Sequence, residues 1–119
     1  MNIEEIRNYC LLKKGVSESL PFDETTLVFK VGTKLFALLD LEKASSINLK
    51  SEPEIAIQLR EQYPEIIPGY HMNKVHWNTV FINGSLPDSL IKNMIDASYH
   101  LVFAKLTKKE QAEIINLPN

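Results

Sequence analysis

Between Pro68 and Trp77 the chain gathers groups able to hold a ligand: Tyr70, His71, Lys74, His76 and Trp77 follow a Pro-Gly turn. A lysine can neutralise a phosphate, an imidazole can donate to an anion, and an indole can stack on a base for about 1–3 kcal/mol. Trp77 has a second reading. It opens an apolar run that continues through Val80 and Ile82, so a half-buried strand anchored by the indole is the favoured expectation. His71 and His76 are five residues apart. That is neither the i,i+4 helical pair nor a zinc-ligand spacing, and no cysteine cluster supports them. No metal site is expected, and both rings are read as hydrogen-bonded loop positions, with His71 also available to an anion. Lys74 is either a phosphate contact or a solvated loop lysine. Lys30 and Lys34, which flank Gly32-Thr33, are either contacts of the same kind or guards against edge-to-edge aggregation.

The motifs that mark common enzymes are missing. There is no Gly-rich phosphate loop, no G-x-S-x-G, no H-E-x-x-H and no cysteine pair. A non-enzymatic protein without a cofactor is the expectation. Cys10 shares an apolar stripe with Ile3 and Ile6, so it is expected to be buried and inert. Ser98 and Tyr99 fall within a long helical pattern and are read as packing residues.

With 119 residues and 45% apolar content, one domain spanning residues 1–119 with a proper core is expected. A single cysteine excludes an internal disulfide and favours a reducing, cytoplasmic setting. The acidic start, Met1 to Glu5, does not resemble a signal peptide, and no apolar run approaches the ~20 residues that span a bilayer. Net charge is −2, which excludes a uniformly basic surface. The charge is uneven, however. Ile66 to Lys109 holds five lysines, three histidines and only two acids, while acids collect at Glu4-Glu5, Asp23-Glu24 and Glu52/Glu54.

The elements that must position these groups follow from patterning. Ile3 to about Leu12 reads as a helix with a capping box from Asn2 to Glu5, ended by Gly15. Thr25–Val31 and Lys34–Leu39 read as strands joined by a tight Gly32-Thr33 hairpin, followed by a short strand near Ser46–Lys50. Ser51-Glu52-Pro53-Glu54 reads as a helix start capped by Ser51, with Ile55, Leu59 and Tyr63 recurring at helical spacing. Trp77–Ile82 is a strand. Ser85 followed by Pro87 and Asp88 opens a long core-facing helix through Val102, and Thr107 with Glu110 opens a short last one. This order predicts an α+β, two-layer fold: an antiparallel sheet packed against helices.

The stretch Pro68 to Val80 closely resembles the signature of the MmcQ/YjbR family. Phe29-Lys30-Val31, Lys34-Leu35-Phe36-Ala37, Leu49-Lys50 and Ser98-Tyr99-His100-Leu101-Val102 follow the family's order. The resemblance covers roughly residues 1–110. It implies a YjbR-like fold, likened to secretion chaperones, and a DNA-binding role through two winglike hairpins, the double wing. Carried over by matching motifs, the contact residues would be Lys30, Lys34, Lys50, His71, Lys74, His76 and Trp77. Weak, largely sequence-independent DNA binding is therefore the leading expectation, with a monomer favoured. The alternative is a protein- or peptide-binding adaptor, which a chaperone-like fold with an open sheet edge would suit.

Overall fold

Asn2 starts the first helix, α1 (Ile3–Leu11), by the expected capping box. Its side chain accepts the Glu5 N–H at 2.8 Å, and Glu5 accepts the Asn2 N–H at 3.0 Å. In the computed structural model, which describes residues 1–42, 46–69, 72–82 and 84–118, α1 is followed by β1 (Val16–Ser19), β2 (Thr26–Val31), β3 (Lys34–Asp40), β4 (Ser46–Lys50) and α2 (Pro53–Gln62). β5 (Ile66–Pro68), β6 (Trp77–Phe81), α3 (Asp88–Phe103) and α4 (Lys108–Ile115) complete the order. The strands form one sheet, β1-β2-β3-β4-β6-β5, antiparallel at every pairing. The α+β, helix-on-sheet reading therefore holds.

Strand alternation divides the side chains between two faces. Leu27, Phe29, Val31, Leu39, Ile47, Leu49 and Val80 join Ile6 and Cys10 of α1 and Ile91, Ile95 and Val102 of α3 in the main core. The opposite face carries a smaller cluster of Val28, Leu38 and Trp77, flanked by Leu35 and Met72. The register shifts between Phe29 and Lys30: Phe29 faces Ala37 but Lys30 faces Leu35, so Phe36 is the extra residue of a bulge. The bulge turns Phe36 into the main core beside Ala37, where its ring meets Tyr99 edge-on at 5.5 Å.

Ser98 ties this irregular point to the helix layer. Its hydroxyl donates to the Phe36 carbonyl at 2.6 Å and accepts the Lys50 N–H at 2.9 Å. Two backbone groups that the ladder leaves without strand partners are thus satisfied by one buried side chain. Tyr99 packs between sheet and helix as expected, and its hydroxyl donates to the Lys14 carbonyl at 2.6 Å.

Four sequence expectations are corrected. β1 and β5, both edge strands, had no sequence signal: Val16–Ser19 is polar at three of its four residues, and Ile66–Pro68 is three residues ending in proline. α2 begins one residue later than the Ser51 cap implies. Glu52 occupies the cap position with no side-chain hydrogen bond, and Pro53 follows. α3 likewise starts after Pro87, again with no side-chain cap. The expected Ile55 stripe is also displaced: Ala56 is the buried residue of α2, while Ile55 is 47% exposed. The short alanine lets α2 lie close against β6, and Asn78 donates to the Ala56 carbonyl at 3.2 Å.

Candidate functional site

Gly32 holds φ at 58° in the hairpin turn between β2 and β3, a conformation that costs a residue with a Cβ appreciably more than glycine. Lys30 and Lys34 flank that turn as expected, Lys30 half-buried and Lys34 exposed. Leu49 of β4 faces Ala37, and the next residue, Lys50, faces Trp77 at the start of β6. The ends of β4 and β6 that carry Lys50 and Trp77 thus point toward the Gly32-Thr33 turn. The loop between β5 and β6, with Lys74 and His76, opens from the same end.

The described candidates are therefore all brought to one end of the sheet, drawn from two hairpins and the strand between them. His71 lies outside the described residues. The chain adds cations at this end that the family motif did not mark. Thr33 donates to Glu110 at 2.9 Å, which sets the start of α4, with Lys108 and Lys109, against the hairpin turn. Lys105 precedes α4 and lines a hollow with Lys50 and His76. Among the described residues none of these lysines forms an ion pair; the pairs join Met1 to Asp88, Arg7 to Glu18 and Lys13 to Asp96. Glu52 and Glu110 are interspersed among the cations.

The other end of the sheet is acidic. Asp40 faces Thr26, Glu42 follows β3, and Glu65 accepts the Phe81 N–H through its carbonyl. Asp23 accepts the N–H groups of Thr25 and Thr26 at 2.8 and 2.7 Å, and these bonds hold its carboxyl below the usual range. A chain of net charge −2 therefore has charge separated along its strands.

The Lys74–Trp77 loop is held from beneath by Arg60, which the sequence reading missed. Its guanidinium donates to Asn78 Oδ1 at 2.6 Å, to the Trp77 carbonyl at 3.3 Å and to the Lys74 carbonyl. The one signal was Asn78, a polar residue inside an apolar strand pattern that turns out to be almost fully buried; such a residue calls for partners. Gly69 sits where a Cβ would come within 3.1 Å of Trp77 Cβ, and its N–H donates to the Trp77 carbonyl at 2.9 Å. The Trp77 indole itself is only 7% exposed. It anchors the loop to the outer sheet face and is not presented for stacking. His76 is half-buried, and its carbonyl accepts the Ser51 N–H at 2.8 Å.

A second cluster of titratable groups lies at the seam of α1 and α3 and is structural. Tyr9 donates to Asp96 at 2.8 Å, and Lys13 pairs with the same carboxylate. The Lys13 ammonium also lies 4.9 Å from the Tyr9 ring centre and 5.3 Å from that of Tyr99. Burial, helped by Asp96, pushes the Tyr9 phenol up to about 12. Cys10 is fully buried here, and burial pushes its thiol up to about 12, outweighing the nearby charge of Lys13. Among the described residues no three His, Cys, Asp or Glu side chains come together as a metal site. Among the described residues no helix is long and apolar enough to cross a membrane.

Comparison with known proteins bears on the same segments. The family model described as YjbR matches residues 11–101, a span that takes in the hairpin, the loop and most of α3. The uncharacterised Escherichia coli K12 protein YjbR is 37% identical over 118 residues, covering 98% of this chain and 100% of that one. The crystal structure of a Deinococcus radiodurans protein with a DUF419 domain superposes with a TM-score of 0.89 at 39% identity, over 98% of this chain and 89% of that one. A crystal structure from Pseudomonas syringae matches with a TM-score of 0.74 at 30% identity, covering 86% of this chain and 99% of that one. Sequence and architecture agree over nearly the full length, and the chain belongs to the YjbR family.

Proposed function

We propose that this protein binds nucleic acid without catalysis, weakly and with little sequence preference, through the basic end of its sheet. The observation that carries the reading is the convergence of Lys30 and Lys34, Lys50, and Lys74 at one end, with no ion pair among the described residues to neutralise them. Two hairpins separated by β4 present these cations, which suits contact with two stretches of phosphate backbone. Lysines that meet phosphates position a protein on a duplex but do not read bases. The buried Trp77 indole is withdrawn from stacking, so the expected binding is electrostatic.

The test is fluorescence anisotropy of a labelled duplex across a low-to-moderate salt series. Each neutralised phosphate contributes about −0.9 to the slope of log affinity against log salt, so three or four contacts give roughly −3 to −4. Lys74→Ala makes the slope shallower by about one unit. The control lysine is Lys92, an exposed residue in the first half of α3. Lys13 is unsuitable because it is committed to Asp96 and two tyrosine rings. No binding at low salt, or equal losses from Lys74→Ala and Lys92→Ala, overturns the reading and favours a protein adaptor.

A further inference from the structure

The displaced start of α2 leaves Ser51 unused. This residue is 7% exposed; its hydroxyl has no hydrogen-bond partner among the described residues, and since no enclosed side-chain N or O atom among them lacks a partner, the hydroxyl opens to solvent. It lines two adjoining hollows, one of ≈ 160 Å³ and one of ≈ 330 Å³, which share Ser51, Glu52 and Leu101 as common wall. We propose that these hollows form one binding trough for a small ligand with an anionic head, phosphate or carboxylate, and an apolar body.

The smaller hollow has the chemistry of the head site. Lys50, His76 and Lys105 line it together with Ser51, Glu52, Pro53 and Leu101. α2 begins there without a side-chain cap. Pro53 has no N–H to offer, so the N–H groups of Glu54 and Ile55 are the first donors of the helix without an acceptor inside it. Such a terminus favours an anion, and the Ser51 hydroxyl, which lines the hollow, can donate to the same group. Among the described residues Glu52 is the only acid in the wall, set against two ammonium groups and an imidazole.

The larger hollow has the chemistry of the body site. Ile55, Ala97, Leu101 and Ala104 line it, with His100 at its edge. Ala97 of α3 and Ala104, which caps its C-terminus, provide the depth, because longer side chains at 97 and 104 would fill the space. A volume of ≈ 330 Å³ lies at the lower end of the ~300–1,000 Å³ usual for small-molecule sites. It suits a single ring or a short alkyl chain. The trough also explains an exposed isoleucine on a helix whose sequence stripe pointed it inward.

This inference stands apart from the nucleic-acid reading, although Lys50 and His76 border both sites. The test is titration of the full-length ¹⁵N-labelled chain, followed by amide shifts, with phenyl phosphate, phenylacetate, inorganic phosphate and benzyl alcohol. Phenyl phosphate or phenylacetate is expected to shift Ser51, Ile55, Leu101 and Ala104 together and saturably, and the tighter of the two identifies the preferred head. Inorganic phosphate should move only the Ser51–Ile55 group, and benzyl alcohol should bind at least tenfold more weakly. Ala104→Leu, a surface change that leaves the core alone, is expected to weaken phenyl phosphate tenfold or more while sparing inorganic phosphate. Ser51→Ala and Lys105→Gln should each weaken the anionic probes severalfold, and Lys74→Ala should leave them unchanged while altering duplex binding. Diffuse, unsaturable shifts at scattered lysines overturn the proposal. So does a phenyl phosphate or phenylacetate affinity untouched by Ala104→Leu in a chain whose spectrum is otherwise wild type.

Discussion

Ser98→Ala removes one oxygen atom and leaves two backbone groups without partners. In the wild type the hydroxyl donates to the Phe36 carbonyl at 2.6 Å and accepts the Lys50 N–H at 2.9 Å, and the residue is fully buried. Leaving a buried polar group unsatisfied costs about 1–3 kcal/mol. Two such groups cost about 2–6 kcal/mol, from which the better helix propensity of alanine recovers at most about 0.5 kcal/mol. A net loss of about 1.5–5.5 kcal/mol follows, a large share of the ~5–15 kcal/mol that holds a domain folded. With a urea m-value of about 1–3 kcal/mol/M, the unfolding midpoint should fall by at least about 0.5 M. Ser89→Ala, on the exposed first turn of the same helix, should move it little. Urea unfolding followed by circular dichroism measures both. A Ser98→Ala midpoint within error of wild type would show that the bulge does not depend on the hydroxyl, and the account of how α3 fixes β3 and β4 would fail.

Trp77→Ala should cost about 3 kcal/mol, the lower end for a buried tryptophan, because its cluster of Val28 and Leu38 is small; an unchanged urea midpoint would show that the ring anchors nothing. Burial alone would raise the Asp96 carboxyl, yet the hydrogen bonds from Lys13 and Tyr9, with the charges of Lys13 and His100, hold it below its ordinary value. A depressed carboxyl stabilises the fold above its unfolded pKa of about 3.9 and ceases to do so as pH falls through the lower folded value. The stability gap between wild type and Asp96→Asn should therefore be constant near neutrality and shrink below about pH 4; a gap that widens in acid contradicts this sign. Cys10, its thiol pushed up to about 12 by burial, should react with a thiol reagent only at the rate of unfolding in native buffer and rapidly in urea. Fast native labelling would show an open path to the sulfur.

Much of the fold could be read because local signals were consistent. The Asn2–Glu5 box, the Gly32 turn and the Thr107–Glu110 cap each appear in the structure where their residues indicate. What could not be read depended on tertiary contacts. β1 and β5 are strands because β2 and β6 offer them hydrogen bonds, and neither segment has enough apolar alternation of its own. Ser51 resembles a cap in sequence, but its N–H is drawn to the His76 carbonyl at 2.8 Å and the helix begins beyond it. The candidate cations were visible one by one. That they meet at one sheet end follows only from the register, and Arg60 gave no sign in sequence that it would clamp the loop from a neighbouring helix.

The most direct measurement of the central claim is the footprint of a short duplex on the ¹⁵N-labelled chain at low salt. Binding through the basic end predicts amide shifts concentrated at Lys30, Thr33, Lys34, Lys50, Lys74 and Lys108, fading as salt is raised, with Glu24, Glu42 and Glu65 silent. Shifts spread evenly over both ends of the sheet, or none at all, would contradict it.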